Sequence, residues 1–317
     1  MTTHYAFDAE IESGLSDFLA KYPPTTPPEK GDWKTLRENA DVLLKNMFNI
    51  FPSREDVSVQ KFTTHSKDGA EIYLHWYTSK NIQSESAIIY AHGGGRIAGS
   101  VDVYNLLIEH YVHLTGVPFL AVGYRLAPEV QGTVHSEDVF AGLLWLKENS
   151  NELGIDPNRI AVMGDSAGGG IAAGAAILAR DENIPLAKQI LIYPMLDSRT
   201  VLPDEKLLPF VVWNYDSNFT GWQASLGREA DSSSISPVAI PAYLTDFDNL
   251  APAYIEVGFL DIFRDENIAY LQKLSKAGIP VEFHLHPGTP HAFEVIAPNS
   301  SIAKRAMLDR IRTIQSV

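Results

Sequence analysis

Cysteine is absent from the 317 residues. That excludes disulfides, Cys-ligated metals and a thiol nucleophile, and it fits a reducing compartment. Basic residues are scarce: 25 Lys and Arg stand against 39 Asp and Glu, a net charge of −14. Such a chain is repelled by nucleic acid and by anionic membrane surfaces, and no run of Lys and Arg reverses this locally. Long apolar runs are missing too. The longest run of small and apolar residues, 171–179, is too short to span a bilayer. The first residues, MTTHYAFDAEIESG, have neither a basic start nor an apolar centre, so no signal peptide is expected. These absences point to a cytoplasmic protein that neither binds nucleic acid nor inserts into a membrane.

What is present is ordinary for a globular chain: 45% hydrophobic and 20% charged residues. A chain of this length buries roughly three quarters of its unfolded surface, enough for a large core. Two amphipathic helices come first. Phe7, Ile11, Leu15, Phe18 and Leu19 recur at helical spacing, YPPTTPPEKGD breaks the pattern, and Trp33, Leu36, Ala40, Leu43, Leu44 and Met47 resume it. VSVQKFTTH and AEIYLHWYT then alternate with period two around SKDG, a hairpin signal that puts Ile72, Leu74 and Trp76 on one face.

Short apolar runs follow, separated by helical stretches. They lie at 87–91, 118–124, 159–164, 188–194, 251–258 and 280–287. Runs of this kind read as strands buried on both faces, and strand–helix alternation implies an α/β protein with a largely parallel sheet. Residues 199–250 break the rhythm. The segment is too long for a simple connection, and its LLPFVVWNYDSNFTGWQ stretch has the aromatic content of a lid.

Gly164-Asp165-Ser166-Ala167-Gly168 matches G-x-S-x-G. In that pattern a serine stands on a strained strand-to-helix turn, and the glycines let the turn close. About 0.1 chance matches are expected in a chain this long, so context decides. RIAVM before it reads as a buried strand, and AGGGIAAGAAILAR after it as a helix of small residues whose N-terminus faces Ser166. Upstream, His92-Gly93-Gly94-Gly95 follows the 87–91 strand. Consecutive glycines expose backbone N–H groups of the kind a developing oxyanion needs. No Lys-Ser or Lys-Thr follows them, so this is not a phosphate loop.

A serine nucleophile needs a base and an orienting acid, here in the order Ser, acid, His. Three downstream histidines compete. His284 and His286 alternate with Val281, Phe283 and Leu285 along a strand, which turns them away from the core; a His-x-His metal site lacks a third ligand at suitable spacing. His291 sits in the loop PGTPHAF after the last strand and is the base candidate. For the acid, Asp261 just past the 251–258 strand is preferred. Glu256 lies inside that strand, and Asp265 reads as a helix-start carboxylate.

HGGG, YRLAPE (124–129), GIDPNRIAVMGDSAGG (154–169), YPMLD (193–197), DIFRDE (261–266) and AGIPVEFHLHPGTPHAF (277–293) occur in this order. Over about residues 85–297 the chain therefore resembles the hormone-sensitive-lipase-like carboxylesterases of the α/β-hydrolase fold. The resemblance implies Ser166 as nucleophile, His291 as base and Asp261 as acid. It implies N–H donors to an oxyanion at Gly94, Gly95 and Ala167, with His92, Gly93, Asp165 and Tyr124 supporting the loops. It implies a small-molecule ester or lactone as substrate, no cofactor and no metal. Family members are often dimers, which leaves a homodimer open here. The expected organisation is N-terminal helices at 1–50 contributing to a cap, and a catalytic domain at 51–317 with a cap insertion at about 199–245.

Departures from the family pattern concern substrate choice. Arg96 follows HGGG where an aromatic or aliphatic residue is usual, either pointing to the surface or meeting a polar substrate group. Ser100, Gly170 and Ala292 replace the usual Asp, Asn and Gly, and FPA is missing after YRLAPE. Arg96, Trp213, Phe219 and Trp222 are the pocket candidates. An amidase or peptidase on the same fold, or a binding protein that has lost turnover, are the rival readings.

Overall fold

The computed structural model describes residues 5–227 and 235–317. Residues 1–4 of the N-terminal segment and 228–234 of the expected insertion lie outside the described residues. The strands are β1 (Val57–His65), β2 (Glu71–Ser79), β3 (Ala87–Ala91), β4 (Phe119–Gly123), β5 (Ile160–Asp165), β6 (Lys188–Ile192), β7 (Ala253–Gly258) and β8 (Val281–His286). The helices are α1 (Ala9–Lys21), α2 (Trp33–Phe48), α3 (Val101–Thr115), α4 (Val134–Glu148), α5 (Ser150–Leu153), α6 (Ala167–Asp181), α7 (Tyr215–Leu226), α8 (Arg264–Lys276), α9 (Phe293–Ile296) and α10 (Ser301–Gln315). Among the described residues no helix is long and apolar enough to cross a membrane.

All eight strands join one sheet in the order β1-β2-β4-β3-β5-β6-β7-β8. β2 runs antiparallel to β1 and β4, and the remaining pairs are parallel. Parallel strands need crossovers, and α3, α6 and α8 supply them between β3 and β4, β5 and β6, and β7 and β8. β3, β5 and β7 are buried along their whole lengths, β3 by its unbroken apolar run and the other two with an enclosed carboxylate each, Asp165 and Glu256. α6 can lie close to its neighbours because its packing face is glycine. A Cβ on Gly174 would collide with Ser136 Oγ and the Val238 carbonyl.

The structure extends one sequence expectation in β2 and corrects another in β8. In β2 the alternation holds for Ile72, Leu74 and Trp76, but Tyr77 on the opposite face is also buried, because its hydroxyl donates to Asn105 of α3. In β8 the expectation fails at the end of the strand, although Val281 and Phe283 pack against the core as expected. His286 is 3% exposed, whereas Leu285 is 38% exposed. β8 is an edge strand whose histidine side is covered, and His286 lies 3.7 Å from the buried Glu256 carboxylate.

α1 starts at the N-cap Asp8, whose carboxylate accepts from Glu10 N at 2.9 Å. Its entry is fixed by Asp8 N donating to the Gly288 carbonyl, in the loop before His291. α2 is held by Arg37, which donates to the Ile97 and Ala127 carbonyls and pairs with Glu129, and by Asp41, which accepts from Gly99 N at 2.8 Å. Both N-terminal helices are therefore tied to loops at the carboxyl ends of the strands, where parallel α/β sheets place their sites.

Candidate active site

Each chemical group comes from the turn after a parallel strand. Ser166 follows β5 and caps α6 with φ +54 and ψ −122, a strained conformation for a residue with a Cβ. The turn depends on glycine. A Cβ on Gly168 would strike the Ala91 and His92 carbonyls, and one on Gly164 would strike Gly168. Ser166 N donates to the Ile192 carbonyl at 2.8 Å, which anchors the turn to β6.

Asp261 follows β7 and His291 follows β8. His291 Nε2 is 3.0 Å from Ser166 Oγ, and His291 Nδ1 is 2.6 Å from Asp261 Oδ2. The carboxylate can only accept, so Nδ1 carries the proton and Nε2 offers its lone pair to the serine hydroxyl. The other Asp261 oxygen accepts from Phe263 N at 3.0 Å, which fixes the carboxylate's rotation. Burial alone would push the His291 pKa down. The Asp261 charge and its hydrogen bond outweigh that, so the net shift is upward. Asp265 is elsewhere, paired with Arg264 at the start of α8, as its sequence position suggested.

The glycine loop after β3 faces the same point. Gly94 and Gly95 have φ of +119 and +62, and both line a cavity of about 80 Å³ that contains Ser166 and His291. The Gly94 carbonyl accepts from Ile97 N and Ala98 N, curling the loop so that the chain's other side meets the cavity. Ala167 is the first residue of α6, so its N–H has no acceptor within the helix. His92 stacks on Tyr124 at 4.3 Å, and the Tyr124 hydroxyl donates to the His92 carbonyl at 2.8 Å. Burial pushes His92 down to about 4, so it is neutral at neutral pH. Asp165 is wholly enclosed and accepts from Tyr90 at 2.5 Å and Tyr104 at 3.0 Å. Burial raises it to about 6, against the pull of those two hydroxyls. A Cβ on Gly93 would press on Asp165 Oδ2 and the Tyr104 hydroxyl.

Of the four pocket candidates only Trp213 lines the cavity. Phe219 is half-buried beneath the Lys30 ammonium, 4.4 Å from its ring. Trp222 is buried against Arg96. Arg96 is neither at the surface nor at the cavity: it is 0% exposed, and burial lowers its pKa to about 10. Its backbone is left-handed, φ +67, and its side chain runs to Trp222 and the Ala239 carbonyl. The cavity's remaining wall came from residues the sequence did not single out for it. Leu43, Leu44 and Met47 project from α2, and their helical periodicity was the available signal. Tyr193, the first residue of YPMLD, packs on His291 with ring centroids 4.5 Å apart and donates to Glu294 at 2.6 Å.

Of the departures from the family pattern, Ser100 has a local explanation: it caps α3, its hydroxyl accepting from Val103 N at 3.2 Å. Ala292, by contrast, sits at φ +57, in a backbone region that favours glycine. The two β8 histidines, set aside as a metal pair in the sequence, face different neighbours. His284 meets Glu282 and Asp309, not His286, and Arg312 already balances both carboxylates.

An eight-stranded, mostly parallel sheet carrying a strained serine, a carboxylate and a histidine at the ends of β5, β7 and β8 defines an α/β-hydrolase. The chain belongs to that family: the α/β-hydrolase fold matches residues 88–295. The ethyl acetate hydrolase of Pseudomonas putida is 32% identical over 216 residues, 66% of either chain, so the alignment spans just under two thirds of that relative. The arylesterase of Saccharolobus solfataricus is 29% identical over 295 residues, 92% of this chain and 85% of its own. The solved structure of a bacterial heroin esterase superposes with a TM-score of 0.87 at 30% identity, covering 98% of each chain.

Proposed function

We propose that the protein is a serine carboxylester hydrolase working through an acyl-enzyme. The observation that carries this reading is the unbroken chain Asp261–His291–Ser166, with steps of 2.6 and 3.0 Å inside a buried cavity. Ser166 Oγ attacks the ester carbonyl as His291 Nε2 takes its proton, and Asp261 holds the resulting imidazolium. The N–H groups of Gly94, Gly95 and Ala167 bind the tetrahedral oxyanion. His291 then returns the proton to the leaving alcohol, and water attacks the acyl-enzyme by the same route. The relatives named for ethyl acetate and aryl esters support this chemistry.

The cavity's size favours short acyl groups. The space beside Ser166 is small, about 80 Å³, and is walled by apolar side chains of α2 and by Trp213. Longer acyl groups require the wall formed by α2 and Trp213 to move. That wall is the proposed cap, made from the N-terminal helices and the 199–245 insertion on the 51–317 domain. A cytoplasmic location agrees with the cysteine-free composition and is checked by fractionation. A homodimer is carried by the family resemblance and is checked by sedimentation.

The test is hydrolysis of p-nitrophenyl acetate, butyrate and octanoate by the wild type and Ser166→Ala. The expected result is turnover that favours acetate and falls at least about a thousandfold in the variant. Turnover that survives Ser166→Ala, or a preference for octanoate, would contradict the mechanism or the acyl-size reading respectively.

A further inference from the structure

We propose that Arg96 is a positioning residue that fixes the oxyanion loop against cap helix α7 without touching the substrate. The inference rests on the ester-hydrolysis reading above and deepens it. Arg96 directly follows Gly94 and Gly95, so any movement of its Cα is passed to their N–H groups. Its main chain is held on one side, the carbonyl accepting from Ala127 N at 2.9 Å. Its side chain runs the other way, under the cap. The guanidinium carbon lies 4.5 Å from the Trp222 ring, and Nη2 donates to the Ala239 carbonyl at 2.9 Å.

Three further contacts make the loop and α7 one unit. The Trp213 indole edge lies where a Cβ on Gly95 would be. A Cβ on Gly221 of α7 would lie 2.7 Å from the Gly95 carbonyl. Trp213 Nε1 donates to Asn218 of α7 at 3.4 Å. Gly170, the second unusual residue, faces this site: a Cβ there would be 3.5 Å from Arg96 Nη2 and would collide with the Met195 carbonyl. The Met195 carbonyl is what requires glycine at 170, and the approach to Arg96 is an ordinary van der Waals contact.

The surrounding chemistry excludes the simpler roles. Arg96 does not line the Ser166 cavity, so it does not bind a substrate anion there. Its Nε and Nη1 have no hydrogen-bond partner, and among the described residues no carboxylate pairs with it, so it is not an ion-pair anchor. What remains is a planar cation laid on an indole, which fixes direction as well as distance. A misplacement of about 1 Å at such a loop costs on the order of a hundredfold in rate.

The experiment compares the wild type with Arg96→Met, Arg96→Lys, Trp222→Leu and Arg96→Met/Trp222→Leu. Each is assayed for kcat and KM on p-nitrophenyl acetate, for inhibition by a trifluoromethyl ketone that forms the tetrahedral oxyanion, and for Tm. The expected result for Arg96→Met is a kcat lower by about 10- to 100-fold with KM within about threefold. Ketone affinity should fall in step, Arg96→Lys should recover part of the loss, and the double variant should lose little more than either single one. If Arg96→Met does not fold, the Lys and Leu variants carry the same comparison. Unchanged kcat and ketone affinity, a loss confined to KM, or losses that multiply in the double variant would overturn the proposal. A wild type without Ser166-dependent turnover would instead overturn the ester-hydrolysis reading itself.

Discussion

Arg310 projects from α10 onto Glu256 of β7, and Arg96 lies under the cap; both are buried to within 1%. Arg310 Nε and Nη2 both donate to Glu256, and Nη1 donates to Glu294 at 2.8 Å and to the Tyr111 hydroxyl at 3.2 Å. Every donor group has an acceptor, and two carboxylates share the charge. Arg96 has one carbonyl, one indole face and no carboxylate. A buried ion pair contributes little net stability, yet removing one partner strands the other's charge. The two arginines should therefore respond oppositely to the same substitution. Arg310 holds a fold together because its neighbours cannot do without it, whereas Arg96 leaves no stranded charge behind and can serve geometry alone.

The contrast is sharpest in stability. Arg310→Met should destabilise the protein by about 3–5 kcal/mol in denaturant unfolding at neutral pH, since the buried Glu256 and Glu294 would lose the guanidinium they share. A loss below about 1 kcal/mol would erase the distinction. Acid reads the same network. Burial alone would raise the Glu256 pKa, but Arg310 and His286 outweigh it and hold it at about 2, below its ordinary value of 4.5. Its contribution is therefore present above pH 4.5 and is lost as pH falls from there towards 2. In Arg310→Met the Glu256 part of that acid slope should disappear from the stability–pH curve.

Near Arg96 the forces are steric. Gly170→Ala should cost about 1–3 kcal/mol, because its Cβ meets the Met195 backbone. Arg96→Met should move stability by less than about 1 kcal/mol while lowering kcat, so calorimetry and kinetics on one variant separate the two roles. The smallest expected effect is a displacement on the pH axis. The proposed mechanism makes neutral His291 the active form, so kcat/KM should rise with pH, with its inflection above the ordinary histidine value of 6.5. Because Tyr193 links His291 to Glu294, Glu294→Gln should lower that inflection.

The same two regions show what was legible in the sequence. β1 and β3 were readable to the residue, because a turn signal bounded one and an unbroken buried run defined the other. Ser166, Asp261 and His291 were readable because strand ends in a parallel sheet converge, so chain order alone brings them to one place. Arg96 was not readable. A side chain on a positive-φ loop takes its direction from that backbone angle, which no periodicity encodes. His286 was misread because alternation gives two faces without saying which one a helix covers. The Arg310 cluster joins residues from β7, α9 and α10, and its charges are far apart in the chain.

The central claim is that Ser166 is the nucleophile and that His291 and Asp261 make it one. Its most direct measurement is mass-spectrometric mapping of the protein after treatment with a fluorophosphonate. A single adduct on the peptide carrying Ser166, lost in His291→Ala and in Ser166→Ala, is the result the account requires. An adduct on another serine, or full labelling that persists without His291, would contradict it.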